Sequence, residues 1–157
     1  MADLAHPASR RVTTASPAYD RDIYGWAMQQ ARLIREGRLG EIDAVNVAEE
    51  IESVGRSERR ELGSRIELIV RHLLKWEFQP ERRTDSWSNT IAAQRDQAHE
   101  LLAENPSLRP HLDEIVARAY RLGRREAARE TGLPSSRFPA DCPFSFAQIM
   151  DEGFVPE

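Results

Sequence analysis

Between Ser57 and Gln79 the apolar residues Leu62, Ile66, Ile69, Leu73 and Trp76 recur every three or four positions. Nowhere does the chain alternate apolar and polar residues as a half-buried strand does. A stripe of this period can hide only against other helices, so the chain is predicted to be all-α, a four- to five-helix bundle. Pro80 ends the run, because a proline pushes the residue before it, Gln79, out of the helical region.

Four further segments carry the same period. Helix one is expected from about Asp20 to Glu36, with Tyr19, Ile23, Trp26, Gln30, Leu33 and Gly37 on one face. Helix two begins at Asp43 as N-cap, with Ile42 and Val47 spaced as a hydrophobic staple, and is expected to stop at Gly55. Helix four starts with Ser86 as cap, lays Trp87, Ile91, Gln94, Ala98, Leu101 and Leu102 on one side, and closes at Asn105 and Pro106. Helix five runs from about Ser107 to Thr131 on a face of Leu112, Ile115, Val116, Ala119, Gly123 and Ala127, and Gly132-Leu133-Pro134 stops it. The remainder, SRFPADCPFSFAQIMDEGFVPE, is expected to be an ordered Pro/Phe-rich wrap anchored by Phe138, Phe144, Phe146 and Phe154, with a short helix from Ser145 to Met150. Residues 1–17 read as a flexible tail and 18–157 as a single domain.

Charge narrows the function classes. With 22 basic and 26 acidic residues the net charge is -4, which gives no overall field to collect nucleic acid or an anionic membrane. No run approaches the roughly 20 apolar residues that span a bilayer, and the first residues lack the apolar core of a secretion signal. A lone Cys142 cannot form an internal disulfide and has no basic neighbour in sequence to activate it, so a reducing cytoplasm is the expected compartment.

The blocks YDRDIYGW, IDAVNVAEEIESVGRSERREL, HLLKWEFQPERRTDSWSNTI, NPSLRP, ETGL, FPADCPFS and GFVPE, taken in that order, resemble the bacterial domain-of-unknown-function family twenty-nine from about Tyr19 to the C-terminus. Departures are slight, at Ile23 and Gly25, where bulkier residues are common in that family. The resemblance implies a small all-α protein and carries no activity.

Chemistry must then be sought among polar side chains that the periodicity turns inward. Gln30, Gln94, Glu126 and Glu130 fall within apolar sectors and Arg95 at the edge of one. A buried carboxylate needs a partner, and the expectation is one buried polar network in which Glu126 or Glu130 meets Arg95 or a helix-one glutamine. The catalytic candidates are Glu49, Glu52, His72 and Arg95: paired carboxylates can hold a divalent metal or move protons, and an imidazole can act as base. Each has a structural alternative, as a solvated helix shoulder, a ring stacked on Trp76, or a packing contact. Binding candidates are Lys75 and the helix-five stripe Arg118, Arg121, Arg125 and Arg129.

Only Asp96 with His99 approaches half of a di-iron bundle motif, and HExxH, GxSxG, Walker A and GxGxxG patterns are absent, so neither metal nor cofactor is expected. The preferred reading is a non-enzymatic module that binds a protein partner or a second copy of itself. A small hydrolytic or metal-assisted enzyme is the alternative, and nucleic-acid contact through the helix-five arginines is a weaker third.

Overall fold

The computed structural model describes residues 17–157, so residues 1–16 of the expected tail lie outside the described residues. Its helices are α1 (Pro17–Arg21), α2 (Ile23–Arg35), α3 (Ala44–Phe78), α4 (Asp85–Glu104), α5 (Leu112–Thr131) and α6 (Phe146–Met150), joined in part by short 3-10 turns. No strand occurs among the described residues, as the helical period requires.

Four boundaries differ from expectation, each for a local reason. Helix one is broken at Asp22, whose carboxylate accepts the Gly25 backbone N–H at 2.9 Å and caps α2; Ile23, expected inside, is 54% exposed. Helices two and three are one element of 35 residues. Gly55 does not end it, because no αL residue or proline follows to divert the chain, and an interior glycine costs only about 1 kcal/mol relative to alanine. Helix four begins at Asp85 with Thr84 in the N-cap position, two residues before the expected cap at Ser86. The start of helix five is a 3-10 stretch, Pro106–His111, with Pro110 inside it and no amide to donate, so α5 opens only at Leu112. The stop at Gly132 is as expected, in the left-handed region at φ 72°.

Contacts divide the chain into two compact units, one ending at Gly55 and the other beginning at Arg56. In the first, α2 buries Trp26, Gln30 and Leu33. Asp43 sits at the start of α3 as a hub: its carboxylate accepts from the Trp26 indole at 3.3 Å and from the Asn46 side chain at 2.7 Å, while its backbone N–H donates to Gln30 Oε1 at 2.8 Å. Tyr19 packs edge-on to Trp26 and donates its hydroxyl to Glu50. Outside this small interior the unit is greasy. Ile23, Tyr24, Met28, Ile34, Leu39, Val45, Ile51 and Val54 are all exposed, whereas Val155 is the one such residue of the second unit among the described residues.

The second unit holds the main core. Leu62, Ile66, Ile69, Val70, Leu73 and Leu74 of α3 are fully buried against Ile91 and Ala98 of α4 and Ala127 of α5, with Phe138 and Ile149 closing the end. Cross-helix pairs give the directions. Lys75 meets Trp87 and Arg65 meets Gln94, so α4 runs antiparallel to α3; Arg59 meets Glu114 and Lys75 meets Glu130, so α5 runs parallel to it. At the α3–α5 crossing Gly123 lets backbones touch: a Cβ there would lie 3.0 Å from the Glu67 carbonyl oxygen.

At the corner before α4, Gln79 leaves the helical region as the following proline demands. Arg82 is exposed, but Arg83 folds back over the Trp76 ring at 5.3 Å and donates Nε to the Trp76 carbonyl at 2.9 Å. The C-terminal wrap is ordered. Phe138 and Phe144 are buried, Phe146 and Phe154 pack partly against the same core, and Ser145 with Gln148 forms a capping box that fixes α6.

Candidate functional site

Of the polar residues expected inside, Gln30 and Arg95 are buried, Gln94 and Glu126 are half-buried and Glu130 is exposed, and they pair separately without joining into the single network expected of them. Burial alone would raise the Glu130 carboxyl, but the Lys75 ammonium at 2.7 Å and the Arg71 guanidinium at 3.0 Å hold it below the usual carboxylate range. Glu126 is held low by Arg129 one turn away, with Arg125 beside it. Gln94 accepts from Arg65 at 3.1 Å, and Gln30 belongs to the Asp43 hub of the first unit. Among the described residues no carboxylate accepts a hydrogen bond from Arg95, although Asp151 and Glu152 lie near enough to favour its charge. Its buried guanidinium donates to the backbone carbonyls of Ile149 at 2.8 Å, Gln148 at 3.3 Å and Phe154 at 2.8 Å, which ties the C-terminal segment to α4. Each pairing depends on which helix lies alongside, and no local period encodes that.

The four catalytic candidates are not brought together in either unit. Glu49 and Glu52 are exposed residues of the first unit, while His72 and Arg95 belong to the second. Burial lowers the His72 pKa below its ordinary 6.5, although an Nδ1 contact with the Leu68 carbonyl at 2.8 Å pulls the other way and Lys75 reinforces the fall. The ring is therefore engaged with the backbone of its own helix. Among the described residues no group of three or more His, Cys, Asp or Glu side chains is placed to hold a metal ion.

The binding candidates divide as well. Lys75 is 9% exposed and spent on Glu130 and on the face of Trp87, 4.6 Å from the ring centroid. Arg125 and Arg129 share Glu126, whereas Arg121 and Arg118 stand exposed.

Arg118 instead opens onto a feature that the sequence did not mark. Between α3 and α5 lies a cleft of about 480 Å³. Its rim carries Arg56, Arg59 and Arg60 from α3 and Arg118 from α5, and its floor is Gly63, Ile115, Ala119 and Leu122. The two carboxylates in it are already engaged, Glu114 with Arg59 and Glu67 with Arg71. Arg60 and Arg118 make no side-chain hydrogen bond or ion pair to another described residue. A Cβ at Gly63 would lie 3.8 Å from Ile115 Cγ2, an ordinary contact, so the glycine sets the depth of the groove there without being required by a close approach. The run of arginines after the acidic EEIE segment was visible in the sequence; its position beside the first turns of α5 was not, because that neighbour lies about 55 residues away, as in the Arg59–Glu114 pair.

No helix among the described residues is long and apolar enough to cross a membrane. Neither the curated proteins nor the solved structures contain a match to the chain. The sequence pattern of the family described as Domain of unknown function DUF29 does match, over residues 18–155, and the chain belongs to that family.

Proposed function

We propose that this chain is a non-enzymatic protein-interaction module whose α3–α5 cleft receives an acidic segment with an apolar face from a protein partner, within a reducing cytoplasm. One observation carries the reading: a groove with an apolar floor and an arginine rim in which the resident carboxylates are already neutralised, leaving Arg60 and Arg118 to face an incoming anion. An apolar floor takes up the side chains of an amphipathic helix, and guanidinium groups at the rim select its flanking carboxylates and speed encounter. The nucleic-acid reading has less support, since Arg125 and Arg129 are tied to Glu126 and the overall charge is -4. The hydrolytic or metal-assisted reading has less again. Of its four residues, Arg95 is committed to the C-terminal carbonyls and His72 to the Leu68 carbonyl.

The test is fluorescence anisotropy with labelled helical peptides that are acidic and amphipathic, acidic without an apolar face, or basic and amphipathic, together with a DNA oligonucleotide. Only the first should bind well, more weakly as salt rises, and the double variant Arg60→Glu/Arg118→Glu should lose affinity by roughly tenfold or more. Equal binding by that variant, or a preference for the oligonucleotide, would overturn the proposal.

A further inference from the structure

Resting on the cleft reading above, we infer that its occupant is the first third of α3, residues 44–55, of a second copy of this chain. The segment AVNVAEEIESVG has three glutamates, of which Glu50 already accepts from the Tyr19 hydroxyl, and no lysine or arginine. It is helical, and Val47, Ile51 and Val54, at i, i+4 and i+7, share one side of it. Two of these are bare, Ile51 at 68% exposure and Val54 at 65%. An apolar stripe beside a purely acidic charge pattern is the complement of an apolar floor under an arginine rim.

Length agrees as well. The segment and the stretch of α3 that lines the cleft, Arg56 to Glu67, are both twelve residues, about 18 Å at 1.5 Å per residue. Exposure gives the segment a reason to seek cover: Val45, Ile51 and Val54, three of the eight exposed large apolar side chains of the first unit, lie on it. Among acidic amphipathic helices, this one is present at the cleft's own concentration in every solution of the protein. If each copy also offers its segment to the other, the interface is self-complementary and closes as a two-fold dimer.

The experiment is sedimentation velocity on the full chain over a wide concentration range. The wild type should associate reversibly and more weakly in high salt. Both Ile51→Asp, which spoils the segment, and Arg60→Glu/Arg118→Glu, which spoils the cleft, should raise the dissociation constant at least tenfold with unchanged helical circular dichroism. Mixing the two variants should recover association, because one retains the cleft and the other the segment. A synthetic peptide of residues 44–55 added to the wild type should break the complex, a readout that does not depend on any variant folding. A wild-type chain that stays monomeric while acidic peptides still bind the cleft would sink this inference and leave the proposed function standing. Failure of the acidic peptides as well would remove both. Association abolished by Ile51→Asp but indifferent to the cleft variant would place the segment on another surface and overturn the assignment.

Discussion

Two ionisable side chains of the second unit set how the fold responds to acid. Burial lowers the native His72 pKa below 6.5, whereas the unfolded chain takes up that proton at the ordinary value. Above 6.5 the residue contributes no pH dependence; as pH falls below it, the unfolded state binds the extra proton and stability declines. Glu130, held below 4.5 by Lys75 and Arg71, acts in a lower window. Its stabilisation is present above 4.5 and is lost as pH falls through the native value. Urea unfolding at successive pH values should therefore show two declines, with His72→Gln flattening the upper one and Glu130→Gln the lower. A profile unchanged by His72→Gln would mean that burial does not lower the native pKa of the ring. At this scale the sequence marked Arg95 as an inward polar group, which it is, and Glu130 as another, which is exposed, but could not name the partners of either. Glu130 finds Lys75 and Arg71 on a helix more than 50 residues earlier, and Arg95 finds backbone carbonyls as far as Phe154.

Two glycines show how the helices themselves were read and misread. At Gly55 a glycine following Val54 looked like a terminus, yet α3 passes through it, and a Cβ there would meet nothing within 4 Å. Gly55→Ala should then stabilise the protein by roughly 0.5–1 kcal/mol, since it removes unfolded-state freedom and improves helix propensity without a clash. Gly123 has the same propensity deficit and the opposite environment. A Cβ there presses on the Glu67 carbonyl oxygen at 3.0 Å and the Arg71 amide at 3.3 Å, atoms that belong to a packed helix and cannot swing aside. Gly123→Val should cost about 1–3 kcal/mol by overpacking. Thermal or urea melts of the two variants test both signs together, and a loss of stability in Gly55→Ala would show that α3 is not continuous there. Single-sequence patterns find where an element begins when a side chain supplies the cap, as Asp43 does. They fail where the deciding fact is what stands opposite the glycine.

Across the whole molecule the apolar residues are unevenly spent, and stability should follow. The second unit buries an unbroken series on α3, from Leu62 to Leu74, among residues of α4, α5 and the C-terminal wrap. The first unit buries Trp26 and Leu33 together with the polar hub of Gln30, Asp43 and Asn46, while Ile51 and Val54 remain open. Burial contributes about 25 cal/mol per Å² of apolar surface, so the first unit has much less with which to resist opening. The periodicity gave an all-helical chain but neither the division into elements nor the cover of each stripe, because a stripe at Val47, Ile51 and Val54 reads the same whether a helix of its own chain, a second copy or solvent lies over it. Native-state amide exchange on α3 decides the consequence. Protection should be near the global unfolding limit from Leu62 to Leu74 and should fall between Leu62 and Gly55, with α2 exchanging alongside the first third of α3 as a separate, weaker unit. Because association covers that first third, its protection should rise with protein concentration while the Leu62–Leu74 amides stay unchanged; uniform protection along α3 at low concentration would mean that the first unit carries stability its buried side chains do not explain.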